Sequence, residues 1–210
     1  MTYRAVIFDL GGVVFPSPFE AFDRYDDAHE LPAGTVRALI RVSSEEGAWA
    51  ALERGHLTMD AFVAALEAEA DTVGFRLDAR RLMGMVGSGL GPRPEMIGAI
   101  ETIRAHGLLT AALTNNWTES DDRSTPHALG EMALFDAVVE SAREGLRKPD
   151  PRIYELVCTR LGVAATDAVF LDDLGINLKP ARAMGMATIK VADPHVALGE
   201  LEAVLGFPVR

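Results

Sequence analysis

The chain has 210 residues, of which 49% are hydrophobic and 24% are charged, enough for one large domain or a core with a modest insertion. Its net charge of -11, without a lysine- or arginine-rich block, argues against nucleic acid or an anionic membrane surface as the main partner. Its one cysteine, Cys158, excludes a disulfide framework and a zinc site built on several cysteines. The sequence has no recognisable signal peptide and no apolar run long enough to span a bilayer, so we expect a cytoplasmic protein.

The first stretch with a clear pattern is AVIFDLGGVVF, residues 5 to 15. Its opening apolar run, Ala5 to Phe8, predicts a strand buried on both faces. Asp9 ends this run, and the two glycines that follow Leu10 allow a sharp turn and a close approach to a ligand. Open α/β sheets bind their ligands at the carboxyl ends of central strands. Asp9 is therefore a candidate nucleophile or metal ligand, and the alternative is that it only caps the turn.

The next part of the chain, from residue 17 to about residue 86, has a helical pattern throughout. Ser17, Thr58 and Asp78 are predicted N-caps, and apolar residues recur at three- and four-residue spacing after Thr58. Glycine and proline are frequent in residues 86 to 94, which we interpret as a linker. We expect residues 17–90 to form a helical subdomain inserted into an α/β core made of residues 1–16 and 91–210. This insertion is either a plain structural subdomain or a cap that closes over an active site on two hinged linkers.

Helix and strand patterns alternate beyond the second linker. Four more buried strands are predicted at residues 108–113, 135–139, 168–171 and 187–191. A loop with Asp121, Asp122 and Pro126 and a short helix through Met132 are predicted before the third strand of the chain, and Asp150 is predicted to cap a later helix. The alternation favours right-handed crossovers and a parallel sheet with helices on both faces.

Polar residues end three of the predicted strands. Asp9 follows the first, Thr114 the second, and Asp172 and Asp173 the fourth. Because the carboxyl ends of parallel strands lie at one edge of a sheet, we expect these side chains to converge there. Three neighbouring carboxylates repel one another unless a cation is present, and oxygen ligands with few histidines favour Mg²⁺. The alternative for the adjacent Asp172-Asp173 pair is a solvated turn.

Lys148 lies in the sequence RKPDP, just before a predicted helix start. At the same edge of the sheet, its ammonium group would offset the charge of an anionic substrate and orient the nucleophile. The Thr114 hydroxyl and the backbone N–H of Asn115 are candidate donors to a phosphoryl oxygen. The alternatives are a solvated surface charge for Lys148 and a simple strand-end hydroxyl for Thr114.

With these four stretches in order, the sequence resembles the haloacid dehalogenase superfamily of hydrolases. The motifs are FDLGGVV, LTNNW, RKPDP and FLDDLGINLKPARAMGM, and the last is especially similar to the N-terminal phosphatase domain of soluble epoxide hydrolase. The resemblance implies a Rossmann-like core with an inserted helical cap, and a phosphatase of small phosphorylated metabolites that forms an aspartyl-phosphate on Asp9. It also implies Mg²⁺ bound by Asp9, the Gly11 carbonyl, Asp172 and Asp173, with Thr114 and Lys148 binding the phosphoryl group.

The sequence departs from the family pattern at Gly11. Phosphatases of the family usually carry an aspartate at this position, which acts as general acid and base, and the loss of such a group costs about 10²–10⁴ in rate. We therefore expect a phosphatase that is slow on alkyl phosphates or restricted to good leaving groups, or one that takes its proton from a cap residue such as His56. The rival interpretations are a dehalogenase that attacks with Asp9, and a binding module weakened in catalysis. The sequence leaves the oligomeric state open.

Overall fold

The computed structural model describes residues 3–88, 91–117 and 133–210. These residues contain five strands that form one sheet in the order β3-β2-β1-β4-β5, with every neighbouring pair parallel. The strands are β1 (Ala5–Phe8), β2 (Leu109–Thr114), β3 (Ala137–Glu140), β4 (Ala168–Asp172) and β5 (Ala187–Lys190). The predicted parallel α/β sheet is confirmed, and β1 lies at its centre because the chain adds β2 and β3 on one side and β4 and β5 on the other.

Among the described residues, six helices lie between β1 and β2. The first five share a hydrophobic core of their own, in which the side chains of Phe22, Trp49, Phe62 and Leu66 are buried. This is the helical cap that the sequence predicted, although the limits of a separate domain at residues 17 and 90 stay a prediction. The helices are α1 (Pro18–Ala28), α2 (Thr35–Glu46), α3 (Ala48–Glu53), α4 (Met59–Thr72) and α5 (Ala79–Gly87).

Helices cover both faces of the sheet. One face packs against Met96, Ile100 and Ile103 of the first helix after the cap and against Leu198 and Leu201 of the last helix. The other face packs against the helices Pro151–Leu161 and Gly175–Ala183. The helices described after the cap are α6 (Pro94–Ala105), α7 (Ser141–Glu144), α8 (Pro151–Leu161), α9 (Gly175–Ala183) and α10 (Pro194–Leu205), with a 3₁₀ turn at Ala165–Asp167.

The predicted helix starts are confirmed by their caps. The side chains of Ser17, Thr58, Asp78 and Asp150 each accept a hydrogen bond from a backbone N–H in the first turn of the following helix. Such a bond satisfies one of the donors that a helix start leaves unpaired. Short polar residues before an apolar repeat were therefore sufficient to locate α1, α4, α5 and α8.

Several boundaries differ from those predicted. The sequence pattern did not separate α3 or α7 from their neighbours, because helices of 6 and 4 residues are too short to establish a periodicity. Helix α9 begins at Gly175 rather than near Leu178, and β3 begins at Ala137 rather than Phe135. The predicted loop at Asp121 and the short helix through Met132 lie outside the described residues. Within those residues, no helix has the length and apolar character to cross a membrane.

We predict that Phe62→Ala destabilises the cap strongly. Phe62 is fully buried, and its ring packs against that of Trp49 with 5.8 Å between centroids. Truncation of a buried phenylalanine leaves a cavity and typically costs about 3–5 kcal/mol in the free energy of unfolding. Urea unfolding followed by circular dichroism measures the loss.

The matched control is Val42→Ala on α2, whose side chain is 67% exposed. Exposed positions of this kind typically change the free energy of unfolding by about 0.5 kcal/mol or less. Equal losses for the two variants would contradict the described burial of Phe62.

Candidate active site

The carboxyl edge of the sheet brings Asp9 and Asp172 side by side. Phe8 pairs with Leu171 in the register of β1 and β4, and the Asp9 N–H donates to the Leu171 carbonyl at 2.9 Å. The next residue on each strand is therefore an aspartate, on backbones about 4.8 Å apart. The order of the strands also reverses between β1 and β4, which is where open α/β sheets bind their ligands.

Lys148 lies between these two carboxylates. Its Nζ atom is 2.8 Å from Oδ1 of Asp9 and 2.7 Å from Oδ2 of Asp172, and only 1% of its side chain is exposed. Burial by itself would lower the pKa of Lys148, but the negative charges of Asp172 and Asp9 outweigh it and raise the pKa above its usual value. Lys148 is therefore a fixed positive charge at the floor of the site.

The carboxyl group of Asp9 is in a different electrostatic position. Burial raises its pKa well above the usual value, and the negative charge of Asp172 adds to this, although Lys148 acts in the opposite direction. Its Oδ1 accepts hydrogen bonds from the Leu10 N–H at 2.7 Å and from Lys148. Among the described residues, we find no donor to Oδ2 of Asp9, so this oxygen is left for a ligand.

Besides Lys148, Asp172 accepts hydrogen bonds from the side chain of Asn177, a residue that the sequence analysis did not identify. The Asn177 Nδ2 atom donates to both carboxylate oxygens of Asp172 at 3.1 Å, and the Leu174 N–H donates to Oδ1 at 2.8 Å. Asn177 lies in the first turn of α9, and its own carbonyl accepts from the Tyr154 hydroxyl at 2.7 Å. A polar residue in the first turn of a helix that follows an acidic strand end was the only signal available.

Asp173 completes a group of three carboxylates. One oxygen each of Asp9, Asp172 and Asp173 lie within 4.8 Å of one another. Burial, followed by the charge of Asp172, raises the pKa of Asp173 to about 6. Gly12 permits this approach, since its φ is +81° and a Cβ atom there would lie 2.3 Å from Oδ2 of Asp173.

Thr114 and Asn115 end β2 beside this group. Thr114 is buried, and its hydroxyl donates a long hydrogen bond, 3.4 Å, to the Asn115 carbonyl. The Asn115 side chain binds the backbone of Lys148 at both ends: Oδ1 accepts from its N–H at 2.9 Å, and Nδ2 donates to its carbonyl at 3.1 Å. This clamp was not foreseen from the sequence, which assigned Asn115 only a backbone N–H.

A cavity of about 780 Å³ opens above these residues, between the cap and the core. Its volume is within the range of small-molecule sites. Asp9, Gly11, Asn115, Lys148 and Asp173 line its floor, while Thr114 and Asp172 lie beneath the lining. The apolar part of the wall consists mainly of Phe19, Phe22, Ile40 and Trp49 from the cap and Leu146, Leu174 and Ile176 from the core.

Two positions singled out for proton transfer are now located. His56 is exposed and does not line the cavity, so the suggestion that it supplies a proton from the cap receives no support. Gly11 does line the cavity, and it does not have a positive φ. A Cβ atom at Gly11 would have Pro18 Cδ as its nearest neighbour, at 3.4 Å, which is ordinary van der Waals contact.

Three solved structures illustrate the shared fold. A predicted HAD-like family hydrolase from Porphyromonas gingivalis superposes with a TM-score of 0.72 and 21% identity, covering 98% of both chains. The L-2-haloacid dehalogenase of Xanthobacter autotrophicus, with chloropropionic acid covalently bound, gives 0.64 and 23%, covering 97% of this chain and 83% of that one. A HAD family enzyme from Bacteroides thetaiotaomicron, in complex with magnesium and inorganic phosphate, gives 0.61 and 17%, covering 90% and 93%.

Relatives in sequence are closer. Acyl-CoA dehydrogenase family member 10 of Mus musculus is 41% identical over 100% of this chain and 20% of its own length. Bifunctional epoxide hydrolase 2 of Sus scrofa is 34% identical over 98% of this chain and 39% of its own length. The chain thus spans less than half of these two relatives. A sesquiterpene phosphatase of Aspergillus oryzae is 29% identical over 98% of both chains.

The family model for haloacid dehalogenase-like hydrolases matches residues 3–185. This match includes the strand ends that carry Asp9, Thr114 and Asp172, together with Lys148 and the whole cap. The chain belongs to the haloacid dehalogenase-like hydrolase family.

Proposed function

We propose that the protein is a Mg²⁺-dependent phosphatase that hydrolyses small organic phosphates through an aspartyl-phosphate on Asp9. The observation that carries this proposal is the carboxylate group of Asp9, Asp172 and Asp173, with Lys148 buried beside it, at the floor of a cavity. The likeness to a phosphatase along the full length of both chains supports the same reaction class.

In the proposed reaction, Asp9 is the nucleophile, and Lys148, Thr114 and Asn115 bind the phosphoryl group. Oδ2 of Asp9 attacks phosphorus, the bond to the leaving-group oxygen breaks, and an acyl phosphate remains on Asp9. Water then attacks the phosphorus of this intermediate, which releases inorganic phosphate and regenerates the carboxylate. Lys148 fixes the other oxygen of Asp9 and offsets the charge of the phosphoryl group, while the Thr114 hydroxyl and the Asn115 N–H are proposed donors to its oxygens.

The acidic group fits a magnesium ion. One oxygen each of Asp9, Asp172 and Asp173 lies within 4.8 Å of the others, and carboxylates are ligands that Mg²⁺ prefers. Burial and, to a lesser extent, the negative charge of Asp172 raise the pKa values of Asp9 and Asp173, and a bound cation would favour their charged forms. We propose these three side chains and the Gly11 carbonyl as the ligands. Bound there, the cation would supply charge stabilisation for the phosphoryl group.

The cavity walls indicate which phosphates fit. Aromatic and aliphatic side chains form much of the wall, so we propose a substrate whose non-phosphate part is at least partly apolar. The absence of a carboxylic acid at Gly11 favours leaving groups that depart without a proton, such as aryl or acyl phosphates.

The second candidate is a dehalogenase in which Asp9 displaces halide from carbon. Its support is the shared fold with a haloacid dehalogenase. That reaction needs no divalent cation, whereas three carboxylates with oxygens within 4.8 Å of one another favour one. A binding module with weakened catalysis, suggested by Gly11, is the third interpretation.

We predict that the purified protein hydrolyses p-nitrophenyl phosphate and acetyl phosphate with Mg²⁺, and that excess EDTA abolishes the activity. Asp9→Asn should remove turnover, since an amide of the same shape cannot form the acyl phosphate. Phosphate release is the measurement, and the melting temperature of the variant is its control. Halide release from 2-haloacids, unchanged by EDTA, would instead support the dehalogenase. Activity against neither substrate class would support the binding module.

A second prediction concerns the metal-free protein and pH. The pKa of Asp173 rises from an ordinary 3.8 to about 6 on folding. Between these values the folded state binds more protons than the unfolded state, so Asp173 makes the protein less stable as pH rises through the window. Asp173→Asn should therefore raise the melting temperature in EDTA, by an amount that grows from about pH 4 to 7 and then levels off.

The measurement is the difference in melting temperature between variant and parent across that range. Mg²⁺ should stabilise the parent more than the Asn variant at pH 7, because binding to the folded state alone raises its stability. A difference that is independent of pH would contradict the raised pKa of Asp173.

A third prediction concerns Gly11. The backbone conformation accepts a side chain there, so Gly11→Asp should fold and place a carboxyl group at the cavity. If this group acts as the missing general acid, alkyl phosphates should be accelerated by up to about 10²-fold, and aryl phosphates much less. Steady-state kinetics on one alkyl and one aryl phosphate measure the ratio.

Gly11→Asn is the matched control, since it has the shape of aspartate without the titratable proton. The ratio of alkyl to aryl rates should rise in the Asp variant and stay at the parent value in the Asn variant. An unchanged ratio in a folded, metal-binding Asp variant would mean that another group already supplies the proton.

A further inference from the structure

An ion pair with little exposure connects the cap to the core beside the candidate active site. Glu53 ends α3 in the cap, and Arg147 directly precedes Lys148 in the core. The Arg147 Nε atom donates to Oε2 of Glu53 at 2.7 Å, and Nη2 lies 2.5 Å from the same oxygen. Only 9% of the glutamate side chain and 13% of the arginine side chain are exposed.

Both partners are held by further hydrogen bonds. The Trp49 indole N–H donates to Oε1 of Glu53 at 2.9 Å, and Nη1 of Arg147 donates to the Ser44 carbonyl, in α2, at 2.6 Å. Arg147, in the core, therefore donates hydrogen bonds to residues of two cap helices, α2 and α3. Stability alone is a weak reason for this arrangement, because the desolvation of a buried ion pair largely cancels its attraction. The specific geometry of the hydrogen bonds around this ion pair is therefore more informative about its role.

The same glutamate approaches the clamp on Lys148. Nδ2 of Asn115 lies 3.4 Å from Oε2 of Glu53 while it donates to the Lys148 carbonyl. Glu53 thus contacts the residue that precedes Lys148 and the side chain that binds the Lys148 backbone on both sides. The Glu53 carboxylate is therefore connected to Lys148 in two ways, through Arg147 and through the side chain of Asn115.

A second close contact fixes the end of α3 on the core. Gly55 has a φ of +69°, and a Cβ atom at this position would lie 2.3 Å from the Ala142 carbonyl oxygen. Only glycine fits a backbone approach of this kind. The segment from Glu53 to Gly55 therefore docks on the core through both backbone and side chain.

We propose that Glu53 is a positioning residue through which docking of the cap sets the location of Lys148. Loss of the Glu53 carboxylate releases Arg147 and Asn115, and the loop that carries Lys148 relaxes away from Asp9 and Asp172. On this proposal, turnover depends on a cap residue that acts through the position of the Lys148 loop. The part of this inference that concerns turnover rests on the proposed phosphatase function, whereas the part that concerns the Lys148 loop does not.

The test compares Glu53→Gln with a matched change at an ion pair elsewhere in the core. That control is Asp136→Asn, whose carboxylate lies 3.1 Å from Nη1 of Arg104 before β3, at the opposite edge of the sheet. Glu53→Gln should lower kcat about 10- to 100-fold with KM changed by less than about threefold, because a displacement of 1 Å in a catalytic group costs about 10² in rate. The control should leave kcat within about twofold of the parent.

The second readout is hydrogen exchange of the Lys148 amide, which donates to Asn115 in the parent. Exchange should accelerate at least tenfold in Glu53→Gln and remain unchanged in Asp136→Asn. A purely structural role would lower the melting temperature without this local change and without a loss of kcat in the folded enzyme. Unchanged kcat together with unchanged exchange would overturn the proposal.

Arg147→Lys keeps the charge but loses the guanidinium fork, and it should give the same pair of effects. It therefore decides the question if Glu53→Gln does not fold. If the parent protein shows no phosphatase activity, the proposed function fails, and the exchange measurement by itself still upholds or overturns the connection from Glu53 to Lys148.

Discussion

The rest of the site depends on one constraint, the burial of the Lys148 ammonium between Asp9 and Asp172. The register of β1 and β4 forces two aspartates onto adjacent strand ends, where their charges repel. Lys148 offsets this repulsion from beneath, and it is itself stable as a buried charge only because both carboxylates are present. Removal of Lys148 would leave the two buried carboxylates without their counter-charge, which is strongly destabilising.

The remaining carboxylate, Asp173, lines the cavity, and the charge of Lys148 and a hydrogen bond with Ser17 only partly offset the effect of its burial on its pKa. With all three carboxylates ionised, the site has two negative charges more than its one lysine balances, at a point accessible to ligands. This imbalance is the physical basis for proposing a cation there, and it also limits what the cation can be, since only carboxylate and carbonyl oxygens are offered.

The two glycines that follow Leu10 differ in their backbone constraints. Gly12 adopts a positive φ and leaves no room for a side chain against Asp173, so its identity follows from backbone geometry. Gly11 has neither restriction. The backbone at Gly11 therefore does not require glycine.

The sequence by itself determined the elements and the residue types of the site. Apolar runs and short polar caps located the strands and most helices, and alternation along the chain identified a parallel sheet, which implied that Asp9, Thr114 and Asp172 share an edge. Local patterns suffice for this because burial and capping act over a few residues. The boundaries of short helices such as α3 were missed, since one or two turns contain no periodicity.

Only the tertiary structure decided which side chains touch. The Asn177 contact to Asp172, the Asn115 clamp on Lys148 and the pairing of Glu53 with Arg147 join segments 5, 33 and 94 residues apart along the chain. Nothing in the local sequence of Glu53 distinguishes it from an exposed helical glutamate, because its burial depends on how α3 docks on the core. Pairings of this kind follow from the packing of whole elements, and hence from the complete fold rather than from any motif.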